Sequence, residues 1–211
     1  MDIVLATSAG KIEASYYQNE DKTAPIAIVF HDTPKNKGHK DEKVNYTIFY
    51  SFLLMGFSVL RFNFKGCNSA GTFENGEQEL IDASAVIDYM QSKHEEAREF
   101  WLAGVGFGGW VAMQSLMRRV EANGYIAVSP YPKKYDYSFF NPAPCNGAII
   151  GAEKDTVINS EALKTLANNI NKHKFGQVSY IAIAGAEHNY PGKLKELSQE
   201  IRNYIKKTWK K

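Results

Sequence analysis

The sequence predicts an α/β fold: a mostly parallel sheet of about eight strands, helices on both faces, and no cap domain. Short, solidly apolar runs alternate with stretches of helical periodicity along most of the chain, which is how strands covered on both faces by crossover helices read. With 211 residues, 44% of them hydrophobic, there is material for one sizeable core. The expectation is therefore a single domain over 1–211.

The elements follow in order. Ile3 to Tyr17 gives two short runs about Ser8-Ala9-Gly10, a hairpin by pattern. Ile26 to Phe30 is a solid strand, Val44 to Met55 has helical spacing, and Ser58 to Phe64 is again strand-like. A helix over about 77–92 places Leu80, Ala83, Ile87 and Met90 on one face. The strand Phe100 to Val105 runs into a helix over about 107–120. Tyr125 to Val128, Gly147 to Ile150 and Val178 to Ile183 are further strands, with a helix over about 160–171 between the last two. An amphipathic helix over about 192–207 completes the pattern.

The 25 basic and 23 acidic residues are interspersed and leave a formal charge of +2. There is no broad cationic field, and no nucleic-acid partner is expected. Lys206, Lys207, Lys210 and Lys211 read as a solvated helix end whose cations complement the dipole. Cys67 and Cys145 stand far apart, outside any Cys-x-x-Cys pattern, so neither a disulfide framework nor a metal site is expected. No apolar run reaches the ~20 residues of a membrane span, and Met1-Asp2-Ile3-Val4 lacks the basic region and long apolar run of a signal peptide. The expectation is a cytoplasmic protein without membrane partner or cofactor; its oligomeric state is not legible.

The chemistry centres on Trp101 to Trp110, a strand passing through a glycine turn into a helix, with the frame Gly104-Val105-Gly106-Phe107-Gly108. In the nucleophile elbow Gly-x-Ser-x-Gly, the central residue sits at such a turn; here it is Gly106. Asp155 follows one later strand and His188 the next. Residues just beyond the carboxyl ends of parallel strands share one rim, where a carboxylate and an imidazole can meet. Gly104-x-Gly106-x-x-Gly109 also fits a dinucleotide fingerprint. That reading lacks its ribose-binding acid, because the next strand ends Ala127-Val128-Ser129-Pro130.

Several segments together resemble the small lidless α/β-hydrolases related to dienelactone hydrolases and serine aminopeptidases. His31-Asp32-Thr33-Pro34 stands where the family has His-Pro-His-Pro, and Asp41-Glu42-Lys43-Val44 resembles its Asp-Asn-Lys-Val. Arg61-Phe62-Asn63-Phe64-Lys65-Gly66 is similar to Arg-Phe-Asn-Phe-Arg-Gly, and Gly71 to Gly76 to Gly-x-Phe-Asp-x-Gly. Leu102 to Gly109 resembles Leu-Ala-Gly-Phe-Ser-Phe-Gly-Gly with Gly106 for serine. Gly151 to Asp155 and Gly185-Ala186-Glu187-His188 resemble the acid and histidine loops.

The resemblance implies hydrolysis of a small ester, thioester or amide, with Asp155 and His188 as acid and base. It implies oxyanion donors on the backbone of Phe107 and Thr33, and places His31 beside that loop, where it orders it. Gly106 supplies no nucleophile, and loss of a triad nucleophile costs on the order of 10⁶ in turnover. Three readings of activity therefore stand: a catalytically impaired or pseudoenzyme member, a non-catalytic binding or scaffold protein, and an Asp155–His188 dyad activating water held in the space opened at Gly106. A small acyl substrate or ligand is the expected partner, and a serine restored at 106 is expected to regain reactivity. Cys67, Ser69 and Ser129, all in loops after strands, are the minor alternatives for a nucleophile.

The Pro- and aromatic-rich segment 129–146 includes Tyr131, Tyr135 and Phe140 and reads as a loop at the strand ends, lining a shallow pocket or anchoring itself by packing. His39, His94 and His173 read as solvated surface histidines.

Overall fold

A computed structural model describes residues 1–7, 10–65, 67, 76–172 and 175–209. The Ser8-Ala9 turn, Gly66, Ser69, the segment 71–75, His173, Lys210 and Lys211 lie outside the described residues. Eight strands form one sheet: β1 (Asp2–Thr7), β2 (Gly10–Tyr17), β3 (Ile26–Phe30), β4 (Ser58–Phe62), β5 (Phe100–Val105), β6 (Gly124–Val128), β7 (Asn146–Ala152) and β8 (Val178–Ile183). Their order is β1-β2-β4-β3-β5-β6-β7-β8. The β1–β2 and β2–β4 pairs are antiparallel, and all others parallel.

Five α-helices cover the sheet: α1 (Lys43–Leu54), α2 (Glu77–Lys93), α3 (Phe107–Leu116), α4 (Ser160–Ile170) and α5 (Leu194–Thr208). Strict alternation along the strands sorts the core into two layers. Ile26, Ile28, Leu102 and Tyr125 pack with α2, α3 and α4. Ala27, Val29, Ala103 and Ile126 pack with α1 and α5 on the other face. This is the α/β-hydrolase fold, and no helical insertion stands over the carboxyl ends of the strands among the described residues.

Element limits differ from the pattern where a local bond redirects the chain. β4 stops at Phe62 because the Phe64 N–H turns to the ring of His31. α3 ends at Leu116, where Arg118 and Arg119 donate three residues back and tighten the last turn. α5 starts at Leu194 because Gly192 holds φ +68°, outside helical geometry.

Candidate active site

The site is assembled where β3, β5, β6, β7 and β8 end. After β5 the chain reverses at Gly106 (φ 57°, ψ −117°) and enters α3 at Phe107. Non-glycine residues seldom adopt such a positive φ. The turn is pressed close: a Cβ on Gly104 would lie 2.4 Å from the carbonyl oxygen of Gly108, and one on Gly108 2.2 Å from that of Phe30. Glycine at both positions lets the first turn of α3 rest directly on the backbone of β5 and β3.

At the end of β3, His31 is fully buried. Its Nε2 accepts the Phe64 N–H at 3.0 Å, which fixes Nδ1 as the protonated nitrogen, donating to the carbonyl oxygen of Asp32. Burial holds this imidazole down at about 4, with only partial compensation from the Asp32 carbonyl and charge. His31 thus ties the turn that follows to Phe64.

That turn directs the backbone N–H of Thr33 toward α3, where the Phe107 N–H points the same way. Between them lies a carboxylate oxygen of the chain itself: Asp32 Oδ1 accepts from Thr33 at 2.8 Å and Phe107 at 2.9 Å. The other oxygen, Oδ2, accepts from the Tyr131 hydroxyl at 2.7 Å and the Asn36 amide at 2.8 Å. Asn36 also donates to the Tyr131 oxygen at 2.9 Å. All four in-plane acceptor positions of the carboxylate are filled. Burial, and then the Asp32 charge, push the Tyr131 phenol well above its ordinary range, so it stays a donor.

The space expected at Gly106 is therefore not open. A Cβ there would lie 2.6 Å from Asp32 Cγ and Oδ1 and 2.9 Å from Tyr131 Cε2. The cause is the two backbone donors, which draw the neighbouring carboxylate over the glycine. Sequence reasoning missed Asp32 and Asn36. The available signal is an acid directly after a central strand, in a segment whose family counterpart has proline.

Asp155 and His188 come together as expected. His188 Nδ1 lies 3.0 Å from Asp155 Oδ2, and Asp155 Oδ1 accepts from the N–H groups of Val157 and Ile158, both at 2.8 Å. The Asp155 carboxylate is 1% exposed and the His188 ring 30%. With Nδ1 engaged, Nε2 is the nitrogen left for chemistry. His188, Asp32, Gly106 and Tyr131 line one cavity of about 40 Å³, room for a water or two. The backbone beside it is strained, since Asn189 and Tyr190 both hold positive φ near 60°.

Of the minor nucleophile alternatives, the two within the described residues do not fit. Cys67 donates to the Gly38 carbonyl, and burial together with the Glu13 charge pushes its thiol up to about 11. Ser129 is buried and its hydroxyl pairs with Tyr190 at 2.7 Å. His94 is not a surface histidine either: it is buried beneath Tyr16, 2.7 Å from the phenol. His39 is exposed. In the 129–146 loop, Tyr137 and Phe140 anchor the segment in the core while Tyr131 reaches the site. Among the described residues, no group of three or more histidines, cysteines or acids is placed to hold a metal, and no helix is long and apolar enough to cross a membrane.

The fold and this site define a protein class, and sequence similarity supports it: the chain belongs to the α/β-hydrolase family. It is 36% identical over 201 residues to an uncharacterized protein of Rickettsia prowazekii, covering 93% of this chain and 84% of that one. A putative α/β hydrolase from Agrobacterium tumefaciens superposes with a TM-score of 0.92 at 36% identity, over 97% of this chain and 94% of that one. An α/β serine hydrolase homologue from Coxiella burnetii gives 0.87 at 25% identity, over 97% of each chain. No family model matches the sequence.

Proposed function

We propose that this α/β-hydrolase-family chain is impaired as a serine hydrolase. In this reading Gly106 is the vacant nucleophile position, Asp155 and His188 are the acid and base, and Thr33 and Phe107 are the oxyanion donors. The observation that carries it is Asp32 Oδ1 bonded to both donors beside a glycine. Acyl transfer needs a nucleophile and a free pair of donors for the developing oxyanion. Neither requirement is met at rest. Loss of the nucleophile alone costs on the order of 10⁶ in turnover.

A second reading keeps the Asp155–His188 pair as a base for water, favoured by their 3.0 Å contact and the small cavity on which His188 opens.

The test uses a fluorophosphonate probe and a short p-nitrophenyl ester. The unaltered protein is expected to neither label nor hydrolyse. The pair Gly106→Ser with Asp32→Ala, which supplies a hydroxyl and clears the donors, is expected to do both. Labelling of the unaltered chain overturns the proposal.

A further inference from the structure

We propose that β8 is a self-association edge: two copies of this chain join their sheets through antiparallel β8 strands, about a two-fold axis at Ile181. β8 is the last strand of the sheet, with β7 on its inner side. The Gly147 N–H bonds the Gln177 carbonyl, and the Glu153 N–H bonds that of Ile183, so the odd-numbered residues of β8 turn their backbone groups inward. Val178, Tyr180 and Ala182 therefore turn theirs outward. The Asn171 side chain closes the first of these positions, accepting from the Val178 N–H and donating to its carbonyl, both at 2.8 Å. Among the described residues, the N–H and C=O of Tyr180 and Ala182 meet no strand.

Natural sheets blunt such edges with charge, proline or bulges. β1, at the opposite edge, carries Asp2, and Lys11 and Glu13 stand across from its Ala6 and Val4. β8 has no such protection: Val178-Ser179-Tyr180-Ile181-Ala182-Ile183 is uncharged, free of proline and glycine, and rich in strand formers. Ala182 is exposed and Ile181 half-buried, so the edge is open at its centre.

A second copy fits this edge because the pattern is its own complement. In the antiparallel register centred on Ile181, Tyr180 of one copy faces Ala182 of the other, and each such pair exchanges both of its backbone bonds. Ile181 meets its own counterpart in the close, non-hydrogen-bonded position. Charge agrees with this direction. Lys172 is exposed beside the start of β8, and the exposed Glu153, held on the Gly185 N–H at 2.7 Å, stands at its end. Antiparallel joining brings each Lys172 toward the other copy's Glu153, and it offers cover to Phe175, which is 75% exposed just before β8. A contact of this kind is closed by its two-fold symmetry, so growth stops at the dimer. The two candidate sites then open on opposite rims of the joined sheet.

Analytical ultracentrifugation and cysteine cross-linking test this. The unaltered protein is expected to sediment at twice the chain mass. Ala182→Pro is expected to halve that mass with its circular dichroism kept, since proline there removes an outward N–H and leaves the bonds to β7 in place. In a Cys67→Ala, Cys145→Ala background, Ile181→Cys oxidised with copper phenanthroline is expected to become a disulfide-linked dimer, and Ala182→Cys to stay single. Unaltered protein that sediments as a monomer overturns the proposal, as does a dimer that survives Ala182→Pro or links equally at both positions. Species larger than a dimer overturn it too, because they show β8 meeting a different edge. Should Ala182→Pro fail to fold, the contrast between the two cysteine variants decides alone.

Discussion

A side chain on Gly106 and the carboxylate of Asp32 exclude one another. A Cβ at 106 would stand 2.6 Å from both Cγ and Oδ1 of Asp32, well inside van der Waals contact. The glycine and the acid form one unit, although the backbone N–H that ties Asp32 to α3 belongs to a residue 75 positions away.

Gly106→Ala should therefore destabilise the fold by at least the ~1–3 kcal/mol of a non-glycine residue at strained backbone angles, with crowding against Asp32 added. In an Asp32→Ala background the loss should shrink toward the backbone cost alone. Denaturant midpoints of the two single variants and the double variant measure the coupling, and additive losses would refute the crowding. Gly106→Ser alone should likewise stay unreactive to fluorophosphonate, contrary to the expectation from sequence.

Asp32→Asn keeps the shape but changes the hydrogen-bond pattern. Its oxygen can still accept from Thr33 and Phe107, which turns its amide toward the Asn36 amide, donor against donor. A loss of about 1–3 kcal/mol is expected, and Asn36→Asp should recover part of it. Thermal or urea unfolding of the three proteins decides the matter.

His31 makes stability depend on pH. Its folded value is held at about 4 against an ordinary 6.5, so between these limits the unfolded chain binds more protons. The contribution is fully present above about 6.5 and is lost as pH falls toward 4, amounting to about 3 kcal/mol. Unfolding free energies across that window should fall with acid in the native chain, and the slope should flatten in His31→Asn.

Both cysteines should be sluggish toward neutral alkylating reagents. Burial raises Cys67 to about 11 and Cys145 to about 12, which lowers the thiolate population at pH 8 by on the order of a hundredfold or more against an ordinary thiol. Timed iodoacetamide labelling of folded and unfolded protein checks this, and rapid labelling of folded Cys67 would reopen it as a reactive group.

Much of the fold is legible in the chain because its signals are local. Ile26 to Phe30 and Phe100 to Val105 are unbroken apolar runs, and both are fully buried central strands. Asp155 and His188 are legible as a pair because topology alone brings adjacent strand ends to one rim. Asp32 is not, since its role depends on how far the turn after β3 leans toward α3. That lean is set by the His31 ring bonding Phe64, beyond the next helix. His94 is misread for a similar reason: a polar stretch of sequence says nothing about Tyr16 folding over it.

The glycine at 108 brings the backbones of β3 and α3 into direct contact, and through them sets the gap between the Thr33 and Phe107 N–H groups. The gap is thus gauged by main chain against main chain, without any side chain as a spacer. Its dimensions should survive the removal of whatever sits in it, which makes it a socket separable from its tenant and a fixed starting frame for installing a different group at position 32.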